Sequence, residues 1–71
     1  MTAKKLKIGE TGVIKEMTFD NKIQHRRMMD LGFIPNEEIK CSNKTMGSTA
    51  FEVKGTKYGL RNEDAEKIIL I

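Results

Sequence analysis

The sequence predicts a mainly β protein: a small, partly open barrel of about five short strands, with one short α-helix inserted after the first strand. Three observations predict it. Gly9, Gly12, Gly32, Gly47, Gly55 and Gly59 punctuate short segments rich in β-branched and aromatic residues, the pattern of small β domains with tight turns. The run from Met28 to Ile39 writes a helix end, a turn and a strand start without a gap. The length of 71 residues suits one domain, residues 1–71, and a chain of this size buries only about 60% of the surface it exposes when unfolded. Wrapping the sheet into a barrel then hides strand edges that a flat sheet would leave open.

Taken in order, Thr11 to Phe19 reads as the first strand, with a bulge or two-sided burial allowed because Ile14 and Met17 are three residues apart. Asp20 or Asn21 is placed to cap the helix, either side chain being able to accept from its first free amides. The helix is expected from about Asn21 to Leu31. At about 100° per residue, Ile23, Met28 and Leu31 fall within an arc of roughly 140° and form its buried stripe, with Met29 outside it. Gly32 supplies the left-handed residue that ends the helix, Pro35 blocks continuation, and Pro35-Asn36 makes a tight turn. Strands follow at about Glu37 to Lys44 and Thr49 to Lys54, with Ile39 and Cys41 alternating onto one face and Phe51 and Val53 onto another. Gly55 and Thr56 suit a hairpin turn into a strand carrying Tyr58 and Leu60. Asn62, Glu63 and Asp64 read as a short helical turn with acids where the helix dipole favours them, and Ile68 to Ile71 as the last strand.

Hydrophobic content of 38% and charged content of 32% are those of a globular protein, not of a disordered tail. The longest apolar run, Ile68 to Ile71, falls far short of the roughly 20 residues a membrane helix needs, and Met1 to Lys5 lacks the apolar stretch of a signal peptide. A single cysteine cannot form an internal disulfide, so a cytoplasmic location is expected. The net charge of +3 is a modest basic excess. Lys4, Lys5 and Lys7 gather at one end and His25, Arg26 and Arg27 in the helix, two local positive patches suited to nucleic acid, anionic lipid or an acidic protein, or simply to solvent.

Few residues carry chemistry. Cys41, alternating with Ile39, reads as a small buried apolar residue rather than a ligand or nucleophile. His25 is the only histidine, has no ligand partner at helical spacing and is expected to face solvent; zinc and iron sites want three or four ligands. One His beside Arg26 and Arg27 is a poor base for a nucleophile, and no Gly-x-x-x-x-Gly-Lys run exists to cradle a nucleotide. Neither an enzyme nor a bound cofactor is expected. Met29, with Phe33, Ile34 and Met46, is the sharper candidate: these side chains, off the buried stripe or beside turns, suit an exposed apolar patch, with Arg26 as a polar rim that orients an acidic partner. The competing reading folds Phe33 and Ile34 back over the open end of the barrel.

Several pieces in order resemble the FeoA family, the small cytoplasmic accessory proteins of the bacterial ferrous iron transporter FeoB. Leu6-Lys7-Ile8-Gly9-Glu10 is similar to its opening leucine and Gly-Glu turn, and Gly12-Val13-Ile14 to its first strand. Met28-Met29-Asp30-Leu31-Gly32 with Pro35 resembles its Leu-Leu-x-Leu-Gly-x-x-Pro-Gly signature. Met46-Gly47 stands where the family has Leu-Gly, and Gly59-Leu60-Arg61 with Glu63, Ala65 and Ile68 resembles its closing pattern. Asn36 replaces the second signature glycine, Met28 and Met29 replace leucines, and Ser48-Thr49 replaces an Asp-Pro.

The resemblance implies an SH3-like barrel without catalysis of its own, docking on the cytoplasmic part of FeoB and supporting or regulating ferrous iron uptake. Met29, Arg26, Phe33 and Met46 are the expected partner-binding residues. It places the protein in the cytoplasm, peripheral at the inner membrane face through the transporter, with no tightly bound metal and with self-association left open. The alternative is a small basic SH3-like barrel that binds nucleic acid or acts as the regulator-type domain of iron-dependent repressors. That alternative is weakened because Phe19, Phe33, Phe51 and Tyr58 fall mostly at inward positions, whereas single-strand binders stack bases on exposed aromatics.

Overall fold

Local turn chemistry sets the order of the elements, and the computed structural model describes residues 1–71. After a 3₁₀ turn at Ala3–Lys5 come β1 (Thr11–Met17), α1 (Lys22–Leu31), β2 (Glu38–Lys44), β3 (Ser48–Val53), β4 (Thr56–Arg61), α2 (Asn62–Ala65) and β5 (Ile68–Leu70). The strands form one five-stranded sheet in the order β4-β3-β2-β1-β5, antiparallel throughout. β4 and β5 lie at its opposite edges, so the barrel stays partly open.

β1 serves both halves of the barrel. Thr11 to Val13 pair with β2, whereas Ile14 to Met17 pair with β5 across a register shift between Ile14 and Glu16. This bulge resolves the irregular spacing of Ile14 and Met17, and it bends the strand where one partner gives way to the other. Ile14 is fully buried at the changeover. Its backbone is held by the turn after α1: Asn36 N–H donates to its carbonyl at 2.7 Å and its own N–H donates to Glu37 O at 2.9 Å.

The expected alternation holds in β2 and β3, but Ile39, Cys41, Phe51 and Val53 all enter the same core. That core continues through Leu60, Ala65, Ile68 and Leu70. The turn between β3 and β4 lies one residue earlier than expected, at Lys54-Gly55, both with positive φ (51° and 82°), and Thr56 already belongs to the strand. Two consecutive left-handed residues match the right-handed twist of the flanking strands.

Two features were not expected. The chain before β1 is structured: Ala3 and Leu6 are buried in the core, Leu70 N–H donates to Met1 O at 2.7 Å, and Thr2 bridges Ile69. The buried face of α1 is also narrower than the Ile23-Met28-Leu31 stripe. Ile23 is 73% exposed, Leu31 is half-buried and Met28 is the one fully buried residue of the helix. Gln24 lies between Leu31 and Met28 on the helical wheel, at about 100° from Ile23. It faces the body of the protein instead, its Nε2 donating to Asp64 Oδ1 at 3.2 Å.

Candidate functional site

The outward face of α1 is built by its two ends. Asn21, rather than Asp20, caps the N-terminus: its Oδ1 accepts from Ile23 N at 2.8 Å and Gln24 N at 3.1 Å. Gly32 (φ 111°) closes the C-terminus, with Gly32 N donating to Met29 O and Phe33 N to Met28 O, both at 3.0 Å. With Met28 turned inward, helical geometry puts His25 on the flank about 60° from it and Met29, Lys22 and Arg26 progressively farther round, at about 100° to 160°.

These residues, with Ile23 and Phe19, line a shallow groove of about 590 Å³. Phe19 is its floor and is largely buried. The ring meets His25 edge-on, with centroids 6.4 Å apart and planes at 83°, while Lys67 Nζ stands 5.7 Å from its centroid. His25, expected to face solvent, is half-buried beside an aromatic ring. Thr18 clips this loop to the far end of the chain, its N–H donating to Lys67 O at 2.8 Å. Ile23 and Met29, the latter 40% exposed, are the apolar walls. Lys22, His25 and Arg26 supply the groove's polar lining, and Arg26 is only loosely held by Asp30, at 3.8 Å on an open surface.

The expected partner-binding residues are not brought together as a set. Met29 and Arg26 share the groove. Phe33 does not: it is 0% exposed, because the left-handed turn at Gly32 throws its ring into the core, 6.0 Å from Tyr58. Ile34 is half-buried. Met46 is 100% exposed but sits at the tip of the β2–β3 hairpin, outside the groove. Ile23 was missed as a surface residue, since an isoleucine near a helical stripe carries no sign of which side of the stripe's edge it takes.

The hairpin that carries Met46 is tightly tied. Thr45 Oγ1 and Ser48 Oγ lie 2.8 Å apart and Ser48 N donates to Thr45 Oγ1 at 3.1 Å. Asn62 Nδ2 donates to Met46 O at 3.1 Å, and Thr49 Oγ1 donates to Asn62 Oδ1 at 3.0 Å. Ser48 and Thr49 thus supply hydroxyls that lock the loop.

Cys41 is buried within the core. No three His, Cys, Asp or Glu side chains gather as a metal would require, and no helix is long and apolar enough to cross a membrane.

The FeoA domain profile matches residues 1–71. The chain belongs to the FeoA family. The structure of FeoA from Stenotrophomonas maltophilia in complex with zinc, a prokaryotic SH3 domain protein put forward as a bacterial ferrous iron transport activating factor, superposes with a TM-score of 0.88 at 24% identity, covering 100% of this chain and 89% of that one. FeoA from Chlorobium tepidum gives 0.90 at 22% identity over 99% of this chain and 68% of that one. The fold also occurs inside larger proteins: a manganese-dependent transcriptional repressor matches with a TM-score of 0.83 at 11% identity, over 100% of this chain and 41% of the repressor. No curated protein matches the sequence. The FeoA barrel is thus SH3-like, and Asn36 meets the demand of the family's second signature glycine by adopting φ 73°.

Proposed function

We propose that this chain is a non-catalytic interaction module that docks on the cytoplasmic part of a FeoB-type transporter and so supports or regulates ferrous iron uptake. Membership of the FeoA family supports the link to ferrous iron transport. The observation that carries the docking site is the outward face of α1, where Ile23 and Met29 stay exposed above Phe19 between Lys22 and Arg26. Removing such apolar walls from water on binding is favourable, and the cations at their rim steer and select an acidic partner surface.

Met29 is the central contact, Ile23 joins it and Arg26 orients the partner. Phe33 is withdrawn from the contact set because of its burial, and Met46 is displayed on a separate element. Co-purification with the membrane transporter tests the assignment. Met29→Glu keeps the folded circular dichroism spectrum and weakens co-purification; retention at the wild-type level in both Met29→Glu and Ile23→Glu removes this face as the docking site. Met46→Glu in the same assay reports whether the hairpin tip contributes.

A further inference from the structure

A second surface lies around the opening 3₁₀ turn, and the groove does not use it. Lys4, Lys5 and Lys7 follow one another there, and Lys44 at the end of β2 joins them, its Nζ donating to Lys4 O at 2.8 Å. Two carboxylates face this cluster. Glu66 pairs with Lys4 at 3.0 Å, and Glu10 Oε1 accepts from Lys7 N at 2.7 Å. On α2, which packs on the same turn, Glu63 pairs with Arg61 and Asp64 accepts from Gln24, so among the groups bonded to the cluster four lysines against Glu66 and Glu10 leave an excess of two positive charges in a protein whose whole formal charge is +3.

Ile8 directly follows Lys7 in the chain and is 61% exposed. The turn that displays it is built: Gly9, at φ 91°, donates its N–H to Cys41 O at 2.7 Å, and Leu6 on the other side is buried. The backbone is therefore pinned to β2 on one side and to the core on the other, with the isoleucine held out between them. By chain reach Ile8 lies within about 15 Å of Lys4.

We propose that this corner of the domain docks on an anionic lipid bilayer, with Lys5, Lys7 and Lys44 at the headgroups and Ile8 at the acyl boundary. The combination selects this partner. Spread lysines with no convergent pocket suit a charged plane rather than a single small anion, and an apolar tip gains by leaving water for the bilayer interface. Nucleic acid fits less well, because no aromatic side chain stands in the patch for a base to stack on. Each basic charge near an anionic membrane contributes about fivefold in affinity, so a net of two gives on the order of 25-fold preference for anionic over neutral lipid. The attraction is weak alone and falls with salt.

Co-sedimentation of the whole chain with transporter-free vesicles tests this independently of any FeoB contact. Vesicles of phosphatidylcholine with phosphatidylglycerol are expected to bind it roughly 25-fold better than phosphatidylcholine alone at low salt, with the preference lost near 0.5 M salt. Lys5→Glu with Lys7→Glu abolishes the preference, and Lys5→Gln with Lys7→Gln replaces that pair if it fails to fold by circular dichroism. Ile8→Ser weakens binding to anionic vesicles while keeping its salt dependence. Equal binding to both vesicle types overturns the proposal. So does an equal loss from Arg26→Glu with Arg27→Glu on α1, which would reduce the effect to overall charge. Tighter binding to single-stranded DNA than to anionic vesicles, unaffected by Ile8→Ser, would assign the patch to nucleic acid instead.

Discussion

Thr49 Oγ1 donates a 3.0 Å hydrogen bond to Asn62 Oδ1, joining the start of β3 to the start of α2 in the only polar side chain buried with the core. The same amide group donates onward to Met46 O, so one asparagine ties the β2–β3 hairpin to the segment that follows β4. Asn62→Ala is expected to cost about 1–3 kcal/mol, because it strands a buried hydroxyl and frees a carbonyl together. Thr49→Val, which removes the hydroxyl and keeps the shape, costs less, about 1 kcal/mol. Urea unfolding of the two variants checks the order.

Helix α1 gives a second contrast. Met28→Ala removes its one fully buried side chain and is expected to cost about 2–5 kcal/mol. Leu31→Ala, at a half-buried position, is expected at the lower end of that range or beneath it, and Ile23→Ser within about 0.5 kcal/mol of wild type. Thermal melts that ranked Ile23→Ser with Met28→Ala would show that the helix packs on a different face.

The glycines separate in the same way. A Cβ at Gly12 would meet Leu70 Cδ1 at 2.8 Å, so Gly12→Ala forces the buried Leu70 side chain to shift and is expected to destabilise by about 1 kcal/mol. A Cβ at Gly59 meets nothing within 4 Å and the residue lies in a strand, so Gly59→Ala is expected to be neutral or stabilising by a few tenths of a kcal/mol. Denaturation midpoints measured side by side decide this.

Much of the topology was legible because its signals are local. Asn21, Gly32 and the turn through Asn36 act through their own backbone and their nearest neighbours, and the alternation in β2 and β3 is a property of each strand alone. Phe33 and Ile23 were not legible for the complementary reason. Phe33 follows a left-handed glycine, and whether its ring goes inward depends on space beneath Tyr58. Ile23 depends on how far the helix is rolled, which Gln24 settles by reaching Asp64, 40 residues away. The same distance effect hides the 3₁₀ turn at Ala3–Lys5, which is held by Ile69 and Leu70 at the other end of the chain.

The β3–β4 turn offers an engineering test. Lys54 holds φ 51° ahead of Gly55, a conformation that costs a lysine more than an asparagine. Its ion pair with the half-buried Glu37 is long, at 3.7 Å, and offsets little of that. Lys54→Asn is therefore expected to raise stability by about 0.5 kcal/mol. A lower melting temperature would show that the aliphatic stem of Lys54, which passes near Gly32, matters more than the turn.

Because α1 sends only Met28 fully inward, with Leu31 half-buried, His25 against Phe19 and Gln24 bonded to Asp64, the segment bearing the proposed recognition face rests lightly on the interior. Lineages can therefore retune what that helix grips, residue by residue, while the barrel beneath keeps its shape.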